Sequence, residues 1–382
     1  MFYLPTRDEC QSLVQSSEAF FCTTTIVEGQ PVEMYNYRLA GYTDFFPEDG
    51  SNWTELRGIT FVQQADDSWE RNILLNKFFN INQTTGWMYD DVKAKKIARL
   101  QYKEDGSVIS FVRFNNGNIR AKSKMSFGSP QAVMAQEVFT NNYCVRKLVT
   151  VCLNSNMVPI FELVSPDNQI VLEYQETELI LLQVRLANGN YLTRSKIQSL
   201  PLGETRIAKD LPTGLEDALL DTLLHYKKID QRAIEGWVVT FEDGQMAKIK
   251  TDKYLQLHGL IGPDAFRENL LVQTILDGNI DDVISALVPG AKKDKLIALA
   301  AKVEHQFNTL VQEFFTLSHM YVNDYASDRK EFAIAYKARR MFSGFMKAIH
   351  TTSESNAERA ARDYILKQCK SLGSAKQYLE GL

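Results

Sequence analysis

The chain has 382 residues, of which 45% are hydrophobic and 24% charged, as in an ordinary globular protein with room for one large or two medium domains. No apolar run reaches the roughly 18 residues that a membrane-spanning helix needs, and the stretch from Met1 to Asp8 has no export-signal pattern. The five cysteines are scattered and never spaced C-x-x-C, which argues against a zinc site and suits a reducing cytosol. We therefore expect a cytoplasmic protein without a membrane span.

The net charge of −4 argues against a chain that binds nucleic acid over its whole surface. The charge is unevenly distributed, however, because residues 291–382 carry 15 Lys and Arg against 10 Asp and Glu, a net of +5. The preceding residues carry a net of −9. A basic C-terminal end permits contact with RNA but does not require it.

The first two thirds of the chain show mostly strand patterns. Residues 8–20 predict an opening helix, and from about residue 23 to 260 short β-rich runs alternate with turn pairs such as Asn116-Gly117. Helices are also predicted at residues 129–153 and 215–225. Runs of Val, Ile and Leu predict buried strands at residues 157–164, 170–174 and 179–186.

Beyond residue 260 the strand patterns end. Helical spacing continues in the segments 264–276, 279–287, 293–318, 328–350 and 355–370. In residues 329–350 apolar and basic side chains fall on opposite faces, and a solvated face and an RNA-facing stripe explain this equally well. The sequence predicts an α+β domain over residues 1–260 and an all-α domain over residues 261–382.

Two lysine-containing stretches stand out. Lys103 precedes an Asp-Gly pair between two apolar runs, which predicts a tight turn whose glycine accepts a positive φ. Taken alone, a solvated lysine in a hairpin is the more ordinary interpretation. Strand periodicity puts Lys248 and Lys250 on one face, where they repel each other unless an anion lies between them. A strand that exposes both to water is the alternative.

The order of several motifs resembles a known superfamily. Lys103-Glu104-Asp105-Gly106 is similar to the K-x-D-G nucleophile motif of covalent nucleotidyltransferases, which include DNA ligases, RNA ligases and mRNA capping enzymes. Phe161-Glu162, Glu235-Gly236-Trp237-Val238 and Lys248-Ile249-Lys250 follow in the order of that superfamily's later motifs. The resemblance narrows to the T-even phage RNA ligase 1 family through further stretches, among them Glu55-Leu56-Arg57-Gly58-Ile59, Lys77-Phe78-Phe79-Asn80, Lys122-Ser123-Lys124 and Leu181-Leu182-Gln183-Val184-Arg185.

This resemblance implies a ligase-type nucleotidyltransferase domain, with antiparallel sheets and flanking helices, followed by a helical RNA- or tRNA-specificity domain. It implies an RNA ligase that uses ATP and Mg²⁺ (or Mn²⁺) and passes AMP from Lys103 to a 5′-phosphate RNA end, where a 3′-OH displaces it. The expected substrate is a tRNA cut in its anticodon loop, after healing by a separate kinase and phosphatase. The expected enzyme is a cytoplasmic monomer, in an infected bacterial host if it is phage-encoded. A DNA ligase, a capping-type enzyme and a non-catalytic RNA-binding pseudo-ligase are the alternatives.

The resemblance also implies roles for individual residues. The catalytic set is Lys103, Lys248, Lys250, Glu162 and Glu235. The nucleotide-binding set adds Tyr35, Arg57, Lys77, Phe79, Lys124 and Val238 to Lys103, Glu162, Lys248 and Lys250. The metal set is Asp105, Glu162, Glu235, Asp281 and Asp282, with a ribose contact the alternative for Glu162 and a helix N-terminus the alternative for the aspartate pair.

The reactivity of the implied nucleophile is a question of protonation. An amine attacks only when it is unprotonated, and a free lysine titrates near 10.4. Burial and the cationic neighbours Lys248 and Lys250 are expected to favour the neutral form of Lys103.

Overall fold

The computed structural model describes residues 2–211, 220–229, 234–257, 268–287, 290–325, 328–348 and 354–369, with the single residues 375, 378 and 379. Its strands are β1 (Phe20–Val27), β2 (Gln30–Tyr37), β3 (Ile59–Gln63), β4 (Trp69–Asn72), β5 (Phe79–Asn80), β6 (Ile97–Lys103), β7 (Ser107–Arg113), β8 (Ile119–Lys122), β9 (Met157–Val164), β10 (Glu178–Leu186), β11 (Gly236–Phe241) and β12 (Met246–Lys250). Its helices are α1 (Arg7–Ser16), α2 (Tyr42–Phe45), α3 (Tyr89–Val92), α4 (Pro130–Asn141), α5 (Tyr143–Asn154), α6 (Arg194–Gln198), α7 (Leu220–Ile229), α8 (Asp252–Leu257), α9 (Glu268–Leu276), α10 (Ile280–Ala286), α11 (Ala291–Asn323), α12 (Arg329–Tyr336), α13 (Phe342–Ala348) and α14 (Glu354–Gln368). Among these described helices, none combines the length and the apolar character that crossing a bilayer requires.

The described strands form three four-stranded sheets. The N-terminal sheet has the order β1-β2-β3-β4, the β9 sheet has the order β10-β9-β7-β8, and the β11 sheet has the order β5-β12-β11-β6. Neighbouring strands are antiparallel except for the parallel pair of β12 and β5. The expected α+β class with antiparallel sheets and a helical C-terminal region is confirmed. The predicted domain boundary at residue 260 lies outside the described residues and stays a prediction.

The connection after β6 carries the chain from one sheet to another. Strand β6 pairs with β11, whereas β7 pairs with β8 and β9, so the hairpin expected at Lys103 is wrong. Gly106 does not adopt a positive φ. A Cβ atom at this position would lie 2.2 Å from the backbone oxygen of Leu163 in β9. Glycine is therefore required here by the close approach of two backbones, not by a left-handed turn.

Three further expectations about elements are corrected. The helix predicted at 129–153 is divided into α4 and α5 at Asn142, whose extended backbone and side-chain bond to the Val145 amide (3.1 Å) start a new helix. The strand predicted at 170–174 does not form, because the amides of Val171 and Leu172 donate to the Asp105 carboxylate instead of to a strand. The helix predicted at 328–350 is divided into α12 and α13.

The predicted opening helix is shorter than expected, because α1 ends at Ser16 and Phe20 already begins β1. The N-terminal half of the helix predicted at 215–225 lies outside the described residues. Its remainder is the start of α7.

The C-terminal helices have a hydrophobic core that includes residues of the body. Phe307 and Phe314 of α11 are buried in it, and Leu39 and Tyr254 belong to the same cluster. The Asn308 side-chain amide also donates to the backbone oxygen of Leu39 at 3.3 Å. These contacts anchor α11 on the sheet body.

A buried ion pair holds the segment before Arg57 against β10. The side chains of Arg185 and Glu55 are 0% and 2% exposed, and two hydrogen bonds of 2.8 Å join them. The remaining guanidinium N–H groups donate to the backbone oxygens of Gly189 and Leu74. All five donors of Arg185 are thus satisfied, which a buried arginine requires.

We expect Arg185→Met to lower the free energy of unfolding by about 3–5 kcal/mol, because it leaves the Glu55 carboxylate buried without its cation. Urea denaturation measures this loss. The double variant Glu55→Leu/Arg185→Met should lose less than the sum of the two single variants. Lys93→Met is the matched control, since Lys93 pairs with Asp90 at the surface. If Arg185→Met lowers the free energy of unfolding as little as Lys93→Met does, the prediction is wrong.

Candidate active site

Two cross-strand rows of the β11 sheet supply side chains to one pocket. In the first row, Gly236 of β11 pairs with Lys103 of β6 on one side and with Lys250 of β12 on the other. The second row lies two residues along each strand and therefore shares the same face. It consists of Gln101, Val238 and Lys248.

The pocket has a volume of about 310 Å³ and lies between two sheets. Beside the two rows of the β11 sheet, the β9 sheet contributes Val108, Glu162, Leu182 and Gln183. A third group of lining residues comes from β2, from the segment before β3 and from the segment before β5: Tyr37, Arg57, Leu75, Lys77 and Phe78. The connection that follows Lys103 joins the two sheets, so this lysine stands where the walls meet.

A chain of alternating charges begins at Lys103. Its ammonium nitrogen lies 2.7 Å from Oε2 of Glu235, whose other oxygen lies 3.0 Å from the Lys250 nitrogen. Lys250 also contacts Asp282 at 2.9 Å, and Asp282 accepts a hydrogen bond from Asn80 at 3.1 Å. Lys103 must lose its proton and leave this ion pair before its nitrogen can act as a nucleophile.

The two lysines of β12 have opposite electrostatic environments. Burial lowers the pKa of Lys248 to about 8, with Lys250 and Lys77 adding to the effect and Asp282 opposing it. Burial opposes the charge of Lys250 as well, but Asp282 and Glu235 outweigh it and raise the pKa of Lys250 above its usual value. Lys250 is therefore a permanent cation, whereas Lys248 titrates slightly above neutral pH.

The remaining wall combines a buried acid with a cationic cluster. Burial raises the pKa of Glu162 to about 7, although Lys103 opposes the shift. Burial would also raise the pKa of Tyr37, but Lys124, Lys77 and Arg57 lower it to about 7. The Lys124 nitrogen lies 4.2 Å and the Lys77 nitrogen 5.5 Å from the centre of the Tyr37 ring. This part of the pocket is suited to binding anions.

The Asp105 carboxylate is buried and occupied by hydrogen bonds within the protein. The Asp105 side chain is 1% exposed, and its Oδ2 atom accepts from the amides of Val171 and Leu172 at 2.9 and 2.8 Å. Its Oδ1 atom accepts from the Tyr254 hydroxyl at 2.9 Å. Asp105 anchors the connection after Lys103 and is not among the residues that line the pocket, and its metal role stays a prediction.

The other predicted metal ligands mostly contact lysines. Glu235 and Asp282 share Lys250, and Asp281 lies 3.1 Å from the Lys77 nitrogen. Within the described residues, no three acidic, histidine or cysteine side chains come together as a metal cage. Glu162 is the predicted metal ligand that lines the pocket. The metal roles of Glu235, Asp281 and Asp282 stay predictions.

Two predicted nucleotide contacts are displaced to neighbouring residues. Tyr35 is fully buried and donates its hydroxyl to Glu33 at 2.6 Å, whereas Tyr37, two residues along β2, lines the pocket. Phe79 is buried in an aromatic cluster, whereas its neighbour Phe78 lines the pocket. The structure thus brings Tyr37 and Phe78 to the pocket in place of Tyr35 and Phe79, whose nucleotide contacts stay predictions.

The structure distinguishes the two lysines after β7. Lys122 is fully buried and donates to the backbone oxygen of Gly58 at 2.9 Å. Lys124 lies over the ring of Tyr37 beside the pocket. This placement favours Lys124 as the nucleotide-binding lysine.

Sequence reasoning missed two glutamines. Gln101 and Gln183 both line the pocket, and each is 4% exposed. Gln101 could have been found, because it lies two residues before Lys103 on the same strand face. Gln183 lies in the stretch Leu181–Arg185 that carries the family resemblance, but no role was assigned to it, because its orientation depends on an irregular strand pairing.

Comparisons with known proteins agree with this geometry. Residues 55–254 match the model of a family described as RNA ligase, of the T4 RNA ligase 1 type. A Thermovibrio ammonificans protein named "Putative RNA ligase" is 26% identical over 274 residues, 70% of each chain.

Two solved structures show a partial resemblance to this chain. An archaeal ATP-dependent RNA ligase matches 81% of this chain and 79% of its own, at 10% identity and a TM-score of 0.45. A Naegleria gruberi RNA ligase variant with ATP and Mn matches 67% of this chain and 84% of its own, at 15% identity and a TM-score of 0.39. Because the family match spans more than half of its length, this chain belongs to the T4 RNA ligase 1 family.

Proposed function

We propose that this RNA ligase uses ATP and joins a 3′-OH to a 5′-phosphate RNA end through a lysyl-AMP and an RNA-adenylate. The observation that carries the proposal is the position of Lys103. It stands at the junction of two sheets, in a pocket that also contains Arg57, Lys77, Lys248 and Lys250. A nucleophilic amine beside four cations suits attack on a polyphosphate.

In the first step the Lys103 nitrogen attacks the α-phosphorus of ATP. The N–P bond forms, the bond from phosphorus to the β-phosphate oxygen breaks, and pyrophosphate leaves. Glu235, 2.7 Å from the amine, is the acceptor placed to receive its proton. Lys248 and Lys250 stabilise the negative charge that builds on the phosphate oxygens.

The next two steps transfer and then release AMP. An oxygen of the RNA 5′-phosphate attacks the same phosphorus, the N–P bond breaks, and Lys103 regains a proton. The 3′-OH oxygen of the second RNA end then attacks the 5′-phosphorus, and AMP leaves as the strand is sealed. The pocket contributes orientation and charge stabilisation to both displacements.

The carboxylate of Glu162 fits a divalent metal that arrives with the nucleotide. Mg²⁺ keeps several water ligands and binds proteins through one or two carboxylates plus substrate phosphates, so a cage of acids is not required. When bound, Mg²⁺ or Mn²⁺ would neutralise phosphate charge and orient the leaving group. A bond from Glu162 to the ribose is the alternative.

We propose a tRNA broken in its anticodon loop as the natural substrate, contacted by the basic C-terminal region. Lys330, Lys337 and Lys347 are exposed, whereas Phe332 and Phe345 of the same two helices are buried. This separation of charge suits an RNA-facing surface. The proposal extends to a monomer in a phage-infected bacterial cytoplasm that acts after a separate end-healing kinase and phosphatase.

We expect the wild-type protein to acquire an acid-labile label from α-labelled ATP and Mg²⁺, and Lys103→Ala to acquire none, because its nucleophile is gone. Gel autoradiography measures the label. Lys93→Ala, which removes an exposed lysine, should label normally. A labelled Lys103→Ala protein, or an unlabelled wild-type protein, would contradict the proposed nucleophile. Label that passes to nicked DNA and not to single-stranded RNA would favour the DNA-ligase alternative.

ATP binding should weaken as the pH rises from 7.5 to 9.5. Lys248 must be protonated to hold a phosphate, and its pKa of about 8 means that it loses this proton above pH 8. The affinity for a non-cleavable ATP analogue should fall by up to about tenfold per pH unit there, as calorimetry measures.

Lys248→Arg is the control for this pH dependence, since a guanidinium keeps its charge throughout. Tyr37, with a pKa of about 7, is already ionised above pH 8 in both proteins. The variant should therefore bind with a flat profile over the same range. A wild-type profile as flat as that of the variant would exclude Lys248 as the titrating phosphate ligand.

A further inference from the structure

One amide in the pocket has a polar atom without a partner. Gln183 lines the pocket and is 4% exposed. Its Oε1 atom is buried and accepts no hydrogen bond from the described residues. A buried carbonyl oxygen without a donor costs free energy in the free protein, so a glutamine at this position makes sense when a ligand supplies the donor.

A β-bulge turns this amide toward the pocket. In the pairing of β10 with β9, Leu181 faces Phe161 and Gln183 faces Ile160, so Leu182 is an extra residue. Adjacent strand residues normally point to opposite faces, yet Leu182 and Gln183 both line the pocket. The bulge changes the direction of one of these two side chains, so that both lie on the pocket side of the sheet.

The surroundings of Gln183 differ from those of the lysines. Apolar side chains line the pocket with it, including Leu182, Ala208, Val238 and Met246. The Ala208 amide donates to the backbone oxygen of Leu181 at 2.9 Å, which fixes this segment beside the bulge. An apolar lining with a convergent amide such as that of Gln183 suits a flat heteroaromatic base, while the cations suit its phosphates.

We propose that Gln183 reads the base of the bound nucleotide and selects a 6-aminopurine. Its Oε1 atom accepts a hydrogen bond from the 6-amino group, and its Nε2 atom donates to a neighbouring ring nitrogen, the two-bond pairing that glutamine makes with adenine. A purine without the 6-amino group leaves the Oε1 acceptor without a donor. The inference rests on the proposed use of a nucleotide in this pocket.

Gln101 is the natural comparison. It is buried to the same extent, lines the same pocket and pairs across the sheet with Val238. It has no buried side-chain atom that lacks a partner. A Gln101→Leu variant thus makes the same chemical change in the same pocket without removing the proposed reading group.

The test compares ATP with purine riboside triphosphate, which lacks only the 6-amino group. Calorimetry in EDTA measures binding without transfer to the enzyme. We expect wild-type protein to bind ATP on the order of 10–100-fold more tightly than the analogue, the usual worth of one two-bond base contact. In Gln183→Leu this ratio should fall to about one, because ATP loses both hydrogen bonds whereas the analogue loses only the bond to its ring nitrogen. Gln101→Leu should keep the wild-type ratio.

A ratio that survives in Gln183→Leu, or that collapses equally in Gln101→Leu, would overturn the assignment. Thermal unfolding of the free protein checks folding, and the melting temperature of Gln183→Leu should not fall, because the substitution removes a polar atom without a partner. Gln183→Met serves as a second variant of similar volume. Because this readout is binding, a protein that shows the expected ratios but never acquires a lysyl label would refute the ligase proposal and leave the base-reading role standing.

Discussion

The carboxylate of Glu235 is the group on which the rest of the site depends. It is 3% exposed and accepts from Lys103 at 2.7 Å and from Lys250 at 3.0 Å. A buried acid is stable only when such partners replace its lost hydration, and two lysines on either side of one glycine would repel each other without it. Because the lysines belong to β6 and β12, the same interaction also fixes the two strands that flank β11.

Lys103 is held from its other side by contacts within the protein. Asp105 ties the connection after β6 to Tyr254 and to the backbone at Val171 and Leu172. Gly106 lets this connection lie against β9. The backbone of Lys103 is thus fixed where two sheets meet before any ligand binds.

Local sequence patterns predicted the structural features that depend on neighbouring residues. They failed where the structure depends on pairing between strands that lie far apart in the sequence. The shared face of Lys248 and Lys250 follows from strand alternation, and both residues line the pocket. The α+β class and the helical C-terminal region followed from the change in hydrophobic period near residue 260. The hairpin at Lys103 was wrong because β6 and β7 pair with strands far away in the sequence.

The site residues show the same division. Motif order predicted roles for Lys103, Glu162 and Glu235, which the structure places near one another. It also assigned a metal to Asp105, whose partners are brought to it by the fold. It also chose Tyr35 and Phe79, one or two positions from the side chains that line the pocket. Only the three-dimensional pairing decides which of two adjacent aromatic residues turns toward a cavity.

Lys103 and its partner Glu235 lie far apart in the sequence, and this has a consequence for biosynthesis. These two residues lie 132 positions apart, and β6 has its neighbour in the sheet only after β11 has been made. Closing so large a loop is entropically costly and slow compared with the formation of local helices and hairpins. A chain still emerging from the ribosome would hold Lys103 on an open sheet edge, and reactivity toward nucleotides would arise only when the last strands dock.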